Sequence, residues 1–340
     1  MTRAGGAAGA APLPIGLIGL GKHGLRYLTH IREDVPGFRL AAVSRRDREA
    51  GERIAREAGA RYHRDPRDLI ADREVVAVVA AVPPSEHPEI VAAAVRERKP
   101  LLIEKPFAAN LETALALADL IESAGLPCLV GQTLRFSGVV QAVRGLVERI
   151  GRLHQLVLTQ SFEPTRLGWL DDPRSSGGGN ILHTGVHEFD LLRYLTGGEA
   201  IEVACFVERV TTQLTEDSFS AAISIDAGGA PTILAAVAGS RATRSRAGEI
   251  RLVGEQGQIV ADHVLREVAI VEDRRSTVLL RPVDVPTVRE ALRVFHDVAE
   301  GKTASPITPR DGVRAVAIAD ACYRSAASGC REKVRLGREE

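Results

Sequence analysis

The chain has 340 residues, equal totals of 44 Lys+Arg and 44 Asp+Glu, and 45% hydrophobic residues. This excludes a disordered polymer and leaves no basic surplus to draw nucleic acid. Its longest apolar runs are too short to cross a bilayer, MTRAGGAAGAAP makes a poor signal peptide, and Cys128, Cys205, Cys322 and Cys330 form no CxxC. A cytoplasmic protein with neither disulfide nor membrane partner is therefore expected.

From Leu13 to about Gly131 the pattern runs strand, turn, helix, repeatedly. IGLIG (15–19) reads as a strand and 22–34 as the first helix, then RLAAVS (39–44) as a strand and 47–58 as a charged helix. VVAVVAAV (75–82) has no polar alternation, as expected of a strand covered on both faces. A helix over 87–98, a strand over 101–106, a helix over 111–125 ending at Gly125, and a strand over 128–131 complete the series. Crossover helices between apolar strands predict a doubly wound, mostly parallel α/β sheet.

After Gly151 the character changes. Extended runs at 153–163, 201–210, 217–226, 232–240, 249–262, 266–273 and 277–283 are separated by short polar breaks. Such succession predicts a second, α+β domain with a large, open, mostly antiparallel sheet. Helical patterns follow at 288–300 and 311–327, and no internal repeat is present. The expected division is 13–134 for a nucleotide-binding type domain, 135–308 for the second α+β domain, and 309–330 for a terminal helix packing back near the first domain. The ligand cleft is expected between the two domains.

Gly19, Gly21 and Gly24 give G-x-G-x-x-G after the first strand and at the mouth of a helix, in GLGKHG. The first glycine permits the tight turn, the second close approach to a pyrophosphate, and the third helix packing. Lys22 and His23 lie inside the loop and join the expected cofactor set. At the end of the second strand, where an acid would bind the ribose of NAD, stand Ser44, Arg45 and Arg46. A hydroxyl and two guanidiniums attract a ribose phosphate, so NADP is expected over NAD, with NAD possible. Ala81, Val82, Pro83, Pro84 and His87 form the next strand-to-helix loop on the same sheet edge.

With EKPF at 104–107, RF at 135–136, GW at 168–169 and SGGGNILHTGVHEFD at 176–190, these motifs make the chain resemble the Gfo/Idh/MocA family of NAD(P)-dependent oxidoreductases. The resemblance spans nearly the whole chain, including GKTASPITPRDGVRAVAIADACYRSAASG near its end. It implies hydride transfer between a nicotinamide and a hydroxyl or carbonyl carbon of a sugar, inositol or related polyol. It also implies a homodimer or homotetramer through the C-terminal sheet. Two alternatives stay open: a cofactor-retaining lyase or glycosidase, and a non-enzymatic dinucleotide-dependent regulator.

The same resemblance points to Lys105 as the group that bonds the reacting oxygen. Glu104 is expected to contact the cofactor or orient the lysine, and Pro106 to hold a cis bond. His187 is expected as the proton donor or acceptor, with Lys105 the alternative. His183 stands where relatives usually carry an aspartate, and is the third expected catalytic residue. The two histidines lie four apart in a stretch of helical spacing, so they share a face. No HExxH follows, and Glu188 falls about 100° from His187 on an ideal helix, so no metal is expected. Thr133, Arg166 and Trp169 complete the cofactor set, with Arg166 reaching a phosphate or an acidic substrate group. Arg135 is expected to brace the hinge and Asp190 to anchor the helix. Arg241, Arg244 and Arg246 read as a solvated or interfacial loop.

Overall fold

The computed structural model describes residues 11–165, 167–229, 231–273 and 275–337. Arg166, expected above at the cofactor, lies outside the described residues.

The first half runs β1 (Leu13–Ile18), α1 (Lys22–Glu33), β2 (Phe38–Ser44), α2 (Arg48–Ala58), β3 (Arg61–His63), α3 (Pro66–Ala71), β4 (Ala77–Ala80), α4 (His87–Arg96), β5 (Leu101–Glu104), α5 (Leu111–Ser123) and β6 (Cys128–Gly131). The strands are all parallel, in the order β3-β2-β1-β4-β5-β6. Ile15, Leu17, Val43 and Val79 are wholly buried, because helices cover both faces. The strand order reverses between β1 and β4, which opens a crevice at the carboxyl edge there.

The second half runs α6 (Gly138–Leu146), β7 (Leu153–Ser161), α7 (Pro173–Ser176), α8 (Val186–Thr196), β8 (Glu199–Glu208), β9 (Ser218–Asp226), β10 (Ile233–Ser240), β11 (Ala247–Gly254), β12 (Gln258–Asp262), β13 (Glu267–Glu272), β14 (Arg275–Leu280), α9 (Thr287–Ala299), α10 (Pro309–Ser328) and β15 (Glu332–Lys333). Its sheet order is β14-β13-β12-β11-β7-β10-β9-β8-β15. Only β7 and β10 pair in parallel; the other pairs are antiparallel. Along β9, Phe219, Ala221, Ile223 and Ile225 alternate inward, beneath the helices. The opposite face is open, with Phe206 and Leu234 exposed. Both expected sheets are thus present.

Several boundaries differ from the periodicity reading. The run 75–82 yields only Ala77–Ala80, since the chain turns out of the sheet toward Pro83 and Pro84. The run 249–262 is a hairpin of β11 and β12, closed by Gly254 N–H donating to the Gly257 carbonyl. β3, α3 and α6 were not foreseen.

α10 joins the halves, contacting α5 and β6 on one side and β8 and α8 on the other. Gly312 lets it lie on Phe107; a Cβ there would sit 2.7 Å from that side chain. Arg135 supplies an ionic bolt. Its guanidinium donates to both Asp190 oxygens at 2.5 and 2.7 Å, to Asp311 at 3.2 Å and to the Pro306 carbonyl at 3.1 Å. Among the described residues no helix is long and apolar enough to cross a membrane.

Candidate active site

The glycine loop has the geometry a dinucleotide requires. Gly19 has φ +88°, and a Cβ there would meet the Ala81 carbonyl oxygen at 2.3 Å; one on Gly24 would meet the Gly19 carbonyl oxygen at 1.8 Å. Gly21, which begins α1, has open space around it, so a pyrophosphate can approach the helix N-terminus. Lys22 is exposed and His23 partly so. At the adenosine end, Ser44 is buried and turned inward, its Oγ donating to the Arg64 carbonyl at 3.4 Å. Arg45 folds back to donate to the Leu20 carbonyl at 2.9 Å, and Arg46 pairs with Glu86 at 2.7 Å.

Ala81, Val82 and Pro83 are half-buried at the loop after β4, and Pro84 is buried. His87 is wholly buried, with Nδ1 3.0 Å from the Phe107 carbonyl and Nε2 3.3 Å from the Val82 carbonyl. As a neutral imidazole it has a single N–H, which can donate to only one of these two carbonyls. Thr133 is buried at the base of the cleft.

Glu104 ends β5 inside the protein. Its Oε1 accepts from the Tyr27 hydroxyl at 2.5 Å and from His23 Nε2 at 2.9 Å, and its Oε2 from the Lys105 amide at 3.1 Å. These donors, with the Lys105 charge, hold its carboxyl down at about 2 despite burial. Its Oε1 is thus held by side chains of α1 and its Oε2 by the Lys105 main chain. The Lys105–Pro106 bond is cis. Lys105 Nζ crosses the cleft and donates to the His183 carbonyl at 2.9 Å. Burial pulls its amine down to about 8, opposed by the Glu104 charge and aided by Arg241.

The stretch expected as one α-helix is two kinds of helix. Ile181–Gly185 forms a π turn, and α8 begins at Val186. Wider π turns occur at functional sites, and this one presents the His183 carbonyl to Lys105. Burial holds both His183 and His187 well below their ordinary value, with Lys105 the largest charge acting on each. Both imidazoles are therefore neutral near pH 7, whereas Lys105 and Glu188 both titrate near 8. Trp169 stacks obliquely on His183, ring centroids 5.2 Å apart.

Glu188 departs from the helical-wheel expectation. It is 3% exposed, its Oε2 is buried without a partner, and burial pushes its carboxyl up to about 8. Asp190 anchors α8 through Arg135, as expected.

Register across the second sheet builds the floor beneath the π turn. Gly239, Gln160 and Gly248 stand side by side on β10, β7 and β11. The His263 ring fills the space over Gly248, with Nε2 3.3 Å from Gln160 Nε2. The Phe219 ring and the Asn180 amide share the space over Gly239. Arg241, read from sequence as part of a solvated loop, instead lines a cavity with Asn180 and His183. Pairing register brings Gly239, Gln160 and Gly248 together, which their spacing along the chain does not show.

Among the described residues, the one group of three with metal-ligand spacing is His296, Asp297 and Glu300 on α9, remote from this cleft. His183 and His187 form no such group.

Two profiles of one oxidoreductase family match the chain. The one described as NAD-binding Rossmann fold covers residues 13–132, and the one described as C-terminal alpha/beta domain covers 144–336. The chain is 30% identical over 335 residues to inositol 2-dehydrogenase 2 of Saccharopolyspora erythraea, with 95% of each covered. It is 27% identical over 285 residues to 1,5-anhydro-D-fructose reductase of Ensifer adhaerens, covering 79% of this chain and 83% of that one. A solved levoglucosan dehydrogenase in complex with NADH and L-sorbose aligns with TM-score 0.83 at 22% identity, covering 96% of this chain and 100% of that one; this likeness concerns the fold alone. The chain belongs to the Gfo/Idh/MocA family and is an NAD(P)-dependent oxidoreductase.

Proposed function

We propose that this family member moves a hydride between NADP and a hydroxyl or carbonyl carbon of a sugar, inositol or related polyol, in the cytoplasm, with NAD a poorer cofactor. Residues 13–134 hold the dinucleotide and 135–308 the substrate. The observation that carries the reading is the Lys105 ammonium, fixed at the end of β5 and bonded across the cleft to the His183 carbonyl. There it faces both the glycine loop's edge and the π turn. The printed activities of the inositol and anhydrofructose relatives support the substrate class.

The nicotinamide supplies or accepts the hydride when bound. Lys105 moves the proton: as the amine it takes the hydroxyl proton during oxidation, and as the ammonium it donates to the carbonyl oxygen during reduction. A value of about 8 suits both directions near neutral pH. His187 and His183, kept neutral, orient the substrate by hydrogen bonds, and Trp169 covers a ring face. This gives the proton to the second of the two groups expected from sequence. For NADP, Arg46 would exchange Glu86 for the ribose phosphate, with Arg45 beside it. The open face of the second sheet, with Phe206 and Leu234 exposed, supports a homodimer or homotetramer.

The test is nicotinamide absorbance with a panel of inositols, hexoses and their keto forms, using each cofactor. Substrate-dependent turnover is expected, with kcat/KM about tenfold higher for NADP, the worth of one charge-assisted contact. Absorbance unchanged across the panel would refute the oxidoreductase step on polyols; equal or reversed cofactor ratios would refute the NADP preference.

A further inference from the structure

We propose that the substrate carries an anionic substituent, a carboxylate on a sugar-like framework, and that Arg241 is the residue that reads it. The inference rests on the oxidoreductase reading above and adds the charge of its substrate.

Arg241 follows β10 and is half-buried, with its Nε wholly buried and without an acceptor. Among the described residues no carboxylate lies within ion-pair distance of it. This sets it apart from its neighbours in the structure. Arg246, in the same loop, grips Glu163 at 2.8 and 3.0 Å while facing the same Phe162 ring. Arg135, which is buried, holds Asp190 and Asp311. A buried cation without a counter-ion is costly. At the edge of a ligand cleft, the ligand is the natural source of that ion.

The groups around Arg241 point the same way. Asn180 is 2% exposed, and neither its amide oxygen nor its amide nitrogen has a partner. His183 Nδ1 is likewise buried and unpaired. All three residues line one cavity, together with Gly179, Thr215 and Glu216 and with no residue of the glycine loop. The dinucleotide's phosphates belong at the N-terminus of α1, on the other wall, and do not use these donors.

The same cavity has two acids on its wall, Glu216 and Asp217, but their oxygens are taken. Glu216 accepts from the Gly179 and Ile181 amides and the Tyr323 hydroxyl. Asp217 accepts from the Val210, Thr211 and Thr212 amides and the Thr211 hydroxyl. What remains unsatisfied is a guanidinium edge, a carboxamide and a neutral imidazole. A carboxylate matches the planar guanidinium fork with two parallel hydrogen bonds. A neutral hydroxyl would bond these donors but leave the charge unmatched.

The test is calorimetric titration of the dinucleotide-loaded protein with D-glucuronate and D-galacturonate beside D-glucose and D-galactose. The wild type, Arg241→Gln and Arg241→Lys are compared. At least one uronate is expected to bind about 30-fold more tightly than its neutral partner, the worth of a charge-assisted bidentate pair. That ratio should fall to about one in Arg241→Gln and stay intermediate in Arg241→Lys, which keeps the charge if the glutamine variant does not fold. No uronate preference in the wild type, or a preference that survives Arg241→Gln, overturns the proposal. Nicotinamide absorbance with the same sugars separates the two readings. Turnover of neutral sugars without uronate preference sinks this inference and leaves the oxidoreductase reading standing. Arg241-dependent uronate binding without hydride transfer does the reverse.

Discussion

On the glycine-loop wall of the cleft, Glu104 accepts three hydrogen bonds, the buried His87 ring sits between two carbonyls, and Arg45 is tied to the Leu20 carbonyl. On the opposite wall, Asn180, His183, His187, Glu188 and Arg241 each leave a buried atom unpaired. An unsatisfied buried polar atom costs about 1–3 kcal/mol. Most of the first wall's side chains can be paired because a dinucleotide's pyrophosphate is recognised by main-chain amides and a helix terminus, which need no spare side chain. The second must recognise a particular substrate, so its donors stay open until that substrate fills them.

Lys105 is where the walls meet, and its removal should have the largest effect. Lys105→Ala is expected to lower kcat by about 10²–10⁴-fold, while dinucleotide affinity, read by fluorescence titration, changes by no more than about threefold. In the wild type, kcat/KM for oxidation should rise with pH through about 8, because the free amine is the proton acceptor. Stopped-flow absorbance measures both. A loss of less than tenfold, with the pH limb intact, would take the proton step away from Lys105 and break the division between a reacting first wall and an orienting second.

Arg135→Ala tests the other extreme, a network that is complete without ligand. It strands Asp190, which is 2% exposed, so urea unfolding should show a loss of about 3–5 kcal/mol. The exposed Arg149–Glu272 pair is the control, and Arg149→Ala should cost no more than about 1 kcal/mol. If the two substitutions cost the same, burial is not what gives the Arg135 bolt its strength.

The completed wall was also the legible one. Gly19, Gly21, Gly24 and the Glu104–Lys105 step are local: each lies at a strand end that apolar runs and turn residues mark. The second wall depends on relations that sequence spacing does not carry. Ideal 100° steps place Glu188 away from the cleft, yet a π turn begins the helix and the side chain is buried. Arg241 looks like a third of a basic loop until pairing of β7, β10 and β11 sets the floor beside it. His87 illustrates the converse: it lies on the right edge, but its ring is wholly buried between the Phe107 and Val82 carbonyls.

Glu188 offers the finest test of how strained the open wall is. Its folded carboxyl keeps its proton up to about 8, whereas the unfolded one releases it near 4.5. Between those values the folded state binds the extra proton, so each step up in pH reduces stability; the contribution is whole below 4.5 and gone above about 8. Glu188→Gln has no proton to lose. Its stability relative to wild type should therefore rise by about 2 kcal/mol from pH 5 to pH 8.5, a deliberately reduced share of the full linkage. Urea unfolding at the two pH values measures the difference, which cancels any fixed cost of the amide. A relative stability that does not move with pH would mean that Glu188 ionises normally, with a solvent path to it that burial alone does not reveal. In that case the unpaired atoms of the second wall would already be served by water, and substrate binding would have to displace it.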